Sequence, residues 1–298
     1  MLVRATTEVY PRLHHISLGA TSRYAIVAES GEVTLSDPGC SAHFPALLRR
    51  LEASKLSLSQ VKRVLVTHLD ADRVGMIPLL RRELPKLQVV GNSPMMALLK
   101  SGDDMKAIWE GDRALSAQLS DAADTASLKE FSASLSLDKG LVDGESLAID
   151  DDISIRCVSM AGHRQHSQAY LVQPHNFLIA DETVGYYNGR RLAAPGGDAS
   201  IQLALESISR LADLDLSGVG FSYGGCITGS LVRKHLESVS QNTSDLLAES
   251  RRALAEGLAP EEVKAQVREA FFLPALRDPC LIASLSGTLD AIWRQVSA

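Results

Sequence analysis

At 298 residues the chain suits one large domain or two small ones, and with 45% apolar and 22% charged residues it has the composition of a globular protein with a sizeable core. A net charge of -6 and no long basic run argue against a nucleic-acid partner, because neutralising phosphates takes clustered Lys and Arg. No stretch approaches the roughly 18 apolar residues of a membrane span, Met1 to Tyr10 lacks the apolar run of a signal peptide, and Cys40, Cys157, Cys226 and Cys280 show no C-x-x-C spacing, so the expectation is a cytoplasmic protein with free thiols and no membrane contact.

In chain order, SRYAIVAES and GEVTLSDPG read as strands joined by a hairpin at Glu29-Ser30-Gly31, the second ending in the turn Asp37-Pro38-Gly39. His43 to Leu51 places Leu47, Leu48 and Leu51 on one helical face. VKRVLVTH is a buried strand, Val74 to Glu83 a helix with Pro78 near its start, and LQVVGN a short strand. Ser93 to Leu135 has few β-branched residues and reads as a helical insertion into a sheet-based fold. Strands resume with LVDGESLAI, DISIRCVSM, QAYLVQ and FLIAD, followed by an amphipathic helix from Asp198 to Leu211 and the strand SGVGFSY. From Ser230 to the end the pattern is helical, as SLVRKHLESV, then SDLLAESRRALAEGL, then a helix start at Ala259-Pro260-Glu261-Glu262. The absence of a second core signature predicts one domain over 1–298 built of stacked sheet and helix layers, with an insertion at about 93–135 and a C-terminal helical segment at about 230–298 that either packs on the layers or forms a homodimer surface.

The buried strand VLVTH stops at His68-Leu69-Asp70-Ala71-Asp72-Arg73. In extended backbone, His68, Asp70 and Asp72 point the same way, and facing carboxylates repel unless a cation lies between them. A divalent metal resolves this; a charged loop with Arg73 pairing one aspartate fits the stretch alone equally well. Two other strands also deliver metal-capable side chains at their C-terminal ends, His163 in GHRQHSQAYLV and Asp181 in FLIADETVG, which is where open α/β folds place ligands.

These stretches, in order, resemble the metallo-β-lactamase fold superfamily. Asp37-Pro38-Gly39 resembles its D-x-G turn, Thr67 to Gly75 its T-H-x-H-x-D-H-x-G signature, Gly162-His163 its G-H, Asp181 its bridging aspartate, and Tyr223 to Gly229 its final H-G loop, over roughly residues 8–235. The resemblance implies an αββα sandwich. It also implies a first metal held by His68, Asp70, His163 and Asp181, and a second position that keeps Asp72 and Asp181 but has Arg73 and Tyr223 in place of two histidines. Arg73 would then stand where a second metal sits, so one ion per chain is expected, and the oxygen-rich ligand set favours iron or manganese over zinc.

The function expected from this resemblance is hydrolysis of a small-molecule ester, thioester, lactone or phosphoester by one metal-bound water, with Asp72 orienting or deprotonating the water and Arg73, with Tyr223, stabilising the oxyanion. The alternatives are a non-haem iron protein acting on dioxygen, similar to persulfide dioxygenases or flavodiiron proteins, and a non-catalytic binding protein with a decayed site. Gly220-Phe221-Ser222-Tyr223-Gly224 also matches a hydrolase nucleophile elbow, but His235 is the sole histidine downstream and no acid lies between. The insertion is expected to cap the pocket, with Met95, Met96, Met105 and Trp109 either forming its apolar lining or, the commoner use of such residues, packing in the core; His166 is expected to bond backbone in a loop, and His14, His15 and His175 to lie at the surface.

Overall fold

Two seven-stranded sheets face each other in a computed structural model that describes residues 1–121, 123–185, 196, 198–259, 261–265, 287–288 and 290–296. Pro260 and Cys280 lie outside these residues. One sheet runs, in spatial order, β2 (Thr7–Tyr10), β3 (Leu13–Leu18), β4 (Thr21–Val27), β5 (Val33–Ser36), β6 (Val61–Leu65), β7 (Gln88–Asn92) and β8 (Lys139–Leu141). The other runs β1 (Leu2–Val3), β14 (Cys226–Thr228), β13 (Gly218–Gly220), β12 (Phe177–Ile179), β11 (Gln168–Gln173), β10 (Ser154–Ser159) and β9 (Ser146–Ala148). From β5 to β8 neighbouring strands are parallel, and β12 is parallel to β13.

The period-two alternation of strand side chains sorts the core into layers. Tyr24, Ile26, Leu65 and Val90 point between the sheets, against Tyr170, Val172, Phe177 and Ile179. Their neighbours Ala25, Val64, Val66 and Val89 point outward onto α1 (Phe44–Ala53), α3 (Ile77–Glu83) and the insertion. On the far side, Ala169, Leu171 and Leu178 meet Ile208 and Leu211 of α7 (Ile201–Ala212) and Val232, Leu236 and Val239 of α8 (Leu231–Ala255). The result is the four-layer αββα sandwich, with the described part of the C-terminal segment packed onto it.

The insertion between β7 and β8 forms α4 (Ser93–Leu98), α5 (Gly102–Leu119) and α6 (Leu128–Ser134). Several details depart from the sequence reading. LVDGESLAI is not one strand: Leu141 ends β8 in one sheet, and Ser146–Ala148 forms β9 in the other. The chain changes layer at Asp143-Gly144, where Gly144 adopts φ 80, a left-handed value that costs glycine little. The helix expected over 74–83 is two, α2 (Ala71–Val74) and α3, with Pro78 in the first turn of α3, where its missing N–H costs nothing. SLVRKHLESV and SDLLAESRRALAEGL fuse into the 25-residue α8. Met95 and Met105 lie in the core, with Met96 and Trp109 packed against it, which is the core-packing use of these residues rather than a pocket lining. His15 is buried rather than at the surface, its Nδ1 2.9 Å from the Ala5 carbonyl.

α5 is fastened to the sandwich by a buried polar clamp. Asp112 accepts hydrogen bonds from Ser41 N at 2.7 Å and Ser41 Oγ at 2.6 Å, and Ser116 Oγ accepts from Ala42 N at 3.1 Å. Gly75 permits the approach: a Cβ there would fall 2.2 Å from Asp112 Oδ1 and 2.6 Å from the Ala71 carbonyl oxygen. Burial pushes the Asp112 carboxyl up to about 6 from 3.8, against the pull of the Ser41 bonds. Because its folded value lies above its unfolded one, the folded chain holds this proton longer and stability falls as pH rises from about 4 to about 6. Asp112→Asn keeps an acceptor for Ser41 N and removes that loss, so thermal unfolding should show the variant gaining on the parent by up to about 2 kcal/mol at pH 8 and not at pH 4.5. An equal difference at both pH values would exclude Asp112 as the titrating group.

Candidate metal centre

Loops leaving the C-terminal ends of β6, β10, β12 and β13 converge and deliver His68, His163, Asp181-Glu182 and Tyr223 to one place. His68 is oriented from behind. Asp37, at the turn after β5 with φ 38, accepts hydrogen bonds from Thr67 N and Thr67 Oγ1, both at 2.8 Å. With its proton given to Asp37, the Thr67 hydroxyl accepts from His68 Nδ1 at 3.1 Å, which leaves a bare lone pair on Nε2. Burial, then His163 and Arg73, push His68 well below the usual imidazole value despite Asp70, so it is neutral. His163 is held by a bond from its backbone N to Thr183 Oγ1 at 3.1 Å, and its Nδ1 lies 3.5 Å from Asp198 Oδ1. The two rings stand 4.7 Å apart at 82°.

Two carboxylate oxygens face both Nε2 atoms. Asp70 Oδ2 is 3.7 Å from His68 Nε2 and 3.1 Å from His163 Nε2; Glu182 Oε2 is 3.6 Å and 3.8 Å from the same atoms. Three of these separations exceed hydrogen-bonding range. Neighbouring donors in a tetrahedral shell at a typical Zn–N distance lie roughly 3.4 Å apart, so the spread is that of ligands around a shared ion. His68 Nε2 and Glu182 Oε2 are buried with no hydrogen-bond partner among the described residues, which is costly unless a cation satisfies them. These residues therefore fit a metal ion. Against the effect of burial, Glu182, Asp198 and Asp70 hold His163 well above its ordinary value.

The remaining groups form an ion cluster beside this point. Arg73, wholly buried, places Nη2 at 2.5 Å from Glu182 Oε1 and 3.0 Å from Asp72 Oδ2, with its guanidinium 4.8 Å over the Tyr223 ring. Tyr223 OH donates to Asp72 Oδ2 at 2.6 Å, and Arg23 Nη2 donates to the Asp72 carbonyl at 2.8 Å. Arg164 forks onto Asp70, Nε to Oδ1 at 2.7 Å and Nη2 to Oδ2 at 2.8 Å. A cavity of about 330 Å³ opens onto the cluster. Its walls are Leu69, Ala107, Ile108 and Leu115 on the apolar side and Asp70, Asp72, Arg164, Glu182, Asp198 and Tyr223 on the polar side.

Of the residues singled out from sequence, His68, Asp70 and His163 meet at one point, and Asp181 lies in a second grouping with His68 and Glu182. The Asp181 carboxylate also serves its own turn, accepting from Thr183 N at 3.1 Å and Thr183 Oγ1 at 3.0 Å, and burial pushes it up to about 7. Asp72 does not continue the extended line of His68 and Asp70. Backbone bonds from Arg73 N and Val74 N to the Asp70 carbonyl start α2 there, and the helical turn carries Asp72 to Arg73 and Tyr223. Arg73 itself does not line the cavity. The sequence pattern does not nominate Glu182, Arg164 or Asp198; each follows an expected site residue or opens a helix, and the acid pair in FLIADE is the readable signal. His166 accepts from Leu69 N at 3.3 Å, as a loop histidine bonding backbone, and burial pushes it down to about 4. The nucleophile-elbow reading finds no support in these contacts: His235 Nε2 lies 2.7 Å from the Val184 carbonyl, and Ser222 Oγ donates to the Ala180 carbonyl at 3.5 Å.

Residues 18–134 match the family model described as the metallo-beta-lactamase superfamily. A metallo-beta-lactamase fold-containing protein of Sulfurisphaera tokodaii is 25% identical over 184 residues, covering 61% of this chain and 67% of that protein. Among solved structures, a metallo-beta-lactamase family protein from Thermus thermophilus superposes with a TM-score of 0.66 at 19% identity, covering 96% of this chain and 93% of that one. A beta-lactamase domain protein from Burkholderia ambifaria does so with a TM-score of 0.64 at 20% identity, covering 98% and 87%.

The relay from Asp37 through Thr67 to His68 generates a direct test. Thr67→Val keeps the side-chain volume and removes the hydroxyl, so competition against a chromophoric chelator should show metal affinity reduced by about 10- to 100-fold. Parent-like affinity in that variant would mean that the relay does not orient His68.

Proposed function

We propose that this chain, which belongs to the metallo-β-lactamase superfamily, is a hydrolase that depends on one divalent metal ion and cleaves a small, uncharged ester, thioester or lactone. The observation that carries the reading is the convergence of His68 Nε2, His163 Nε2 and Asp70 Oδ2, with Asp70 lining an open cavity and His68 Nε2 buried without a hydrogen-bond partner among the described residues. Such orphaned donors count against a decayed, metal-free site, because burying them without a cation is costly. The ion, when bound, polarises a carbonyl oxygen and makes water a competent nucleophile near neutral pH.

The side chains have separable tasks. Asp72 stands at the cavity wall with one oxygen fixed by Tyr223 and Arg73, oriented to take a proton from an attacking water. Arg73 acts through Asp72 and Glu182 and supplies fixed positive charge where a second ion would otherwise be needed. Ile108, Leu115 and Leu69 offer an apolar wall for an acyl chain. Charge selects the substrate class: along the cavity four carboxylates face one guanidinium, so Arg73 and a divalent ion bring the site only to neutrality. A phosphoester dianion gains little there, whereas a neutral carbonyl compound meets no repulsion. Oxygen-rich ligation favours manganese or iron over zinc.

A second reading shares the same ligands. Two histidines and a carboxylate with open positions are also the donor set of non-haem iron oxygenases. Elemental analysis of protein purified without added metal, followed by assays with p-nitrophenyl acetate and an acyl thioester, separates the two. Hydrolysis should vanish on chelation and return with manganese, and Asp72→Asn should lower kcat by roughly 100- to 1,000-fold at unchanged metal content. Bound iron with oxygen uptake on a persulfide, and no esterase activity, would favour the oxygenase; protein that takes up no metal would end both readings.

A further inference from the structure

We infer that Glu182, and not Asp181, is the carboxylate that completes the metal's ligand set, and that Glu182 bridges the ion to the guanidinium of Arg73. The inference rests on the proposed single-metal site and extends it to the identity of its fourth ligand. Four observations carry it. Glu182 Oε1 is already engaged, 2.5 Å from Arg73 Nη2. Its other oxygen, Oε2, is buried, has no hydrogen-bond partner among the described residues, and lies 3.6 and 3.8 Å from the Nε2 atoms of His68 and His163. The one carboxylate thus offers one oxygen to a fixed cation and the second to the point where the two imidazoles meet, the disposition of a group shared between two positive charges. Asp181, the residue the family pattern would nominate, also lies within reach of His68, but each of its oxygens already accepts a hydrogen bond from Thr183, at 3.1 Å from the backbone N and 3.0 Å from the hydroxyl. Those bonds cap the short 3-10 turn Glu182–Val184 that aims Glu182 inward. Gly196, whose N donates to the Glu182 carbonyl at 2.7 Å, packs so closely that a Cβ would fall 2.5 Å from Glu182 Cβ, which further fixes this residue.

On this assignment the site is asymmetric by construction. One charge is exchangeable and held by His68, His163, Asp70 and Glu182; the other is permanent and belongs to Arg73. Asp181 is a positioning residue for Glu182.

Cobalt(II) titration of the metal-free protein, followed by isothermal calorimetry and by the visible spectrum of the bound ion, tests this. The parent should take one equivalent. Glu182→Gln should bind cobalt roughly 100-fold or more weakly with an altered spectrum, while Asp181→Asn should stay within about fivefold of the parent with its spectrum kept. Circular dichroism melting establishes that each variant is folded. If Glu182→Gln does not fold, Glu182→Asp, which keeps a negative charge beside Arg73, carries the test: weaker binding with a changed spectrum supports the bridge, and parent-like affinity and spectrum overturn it. Loss of binding in Asp181→Asn with retention in Glu182→Gln would also overturn the inference and return the role to Asp181. A parent protein that binds no cobalt would instead remove the single-metal reading on which the inference stands.

Discussion

A fully buried guanidinium organises this molecule. Arginine stays protonated at any physiological pH, and taking such a charge out of water costs several kcal/mol unless carboxylates and hydrogen bonds compensate. Arg73 finds that compensation in Asp72, one residue earlier in α2, in Glu182 after β12, and in the face of Tyr223 after β13. One charge thereby ties together loops from both sheets. Its Nε and Nη1 have no hydrogen-bond acceptors among the described residues, so the two carboxylates and the ring bear most of the load, with the Asp37 carboxylate adding a further attraction. A second buried guanidinium, Arg23, lies close enough to Arg73 that burial and then this like charge lower its pKa, and it bonds to the carbonyls of Ser22 and Asp72. The geometry of the metal centre follows from these constraints: where Arg73 sits, Glu182 and Asp72 must sit also.

A side-chain cation differs from an ion in ways that bear on chemistry. It cannot dissociate, cannot be exchanged for another metal, and has no vacant coordination position at which a substrate oxygen could be polarised. What it offers is a charge at a fixed distance from two carboxylates, with no dependence on metal supply. Behind the cavity wall two unlike clusters therefore stand side by side, the candidate metal ligands around His68 and His163 and the fixed cation of Arg73 with Asp72 and Tyr223.

Much of this is legible in the sequence because strand ends announce themselves. Unbroken or alternating apolar runs that stop at His68, Gly162-His163 and Ala180-Asp181 report both the sheets and the edge at which their loops meet. What escapes does so for definable reasons. Spacing by two puts Asp72 on an extended line, but the Asp70 carbonyl accepts the N–H groups of Arg73 and Val74 and turns the chain into a helix. Glu182 stands beside an aspartate that already satisfies the expected pattern, and adjacency in sequence gives no sign that both acids reach His68. Arg164 is an ordinary loop residue until Asp70, distant in sequence, is brought to it. The segment 141–149 has strand composition throughout, and nothing in a one-dimensional pattern says that its two ends belong to different sheets. The methionines of the insertion satisfy a core and a pocket lining equally well by composition; the packing of α5 decides, sending Met105 inward and Ile108 and Leu115 to the cavity.

The Asp112–Ser41 clamp separates two properties that many binding sites entangle. The charged residues sit on α2 and on loops of the sandwich, whereas Ala107, Ile108 and Leu115 ride on a helix fastened through its own buried carboxylate to Ser41. Gly111 and Asp112 hold that helix against α2, where a Cβ on Gly111 would fall 3.0 Å from the Ala71 Cβ, so these two positions tolerate no enlargement. Ile108 and Leu115 carry no such duty, and exchange at those two positions reshapes the apolar wall while the charged cluster opposite keeps its geometry.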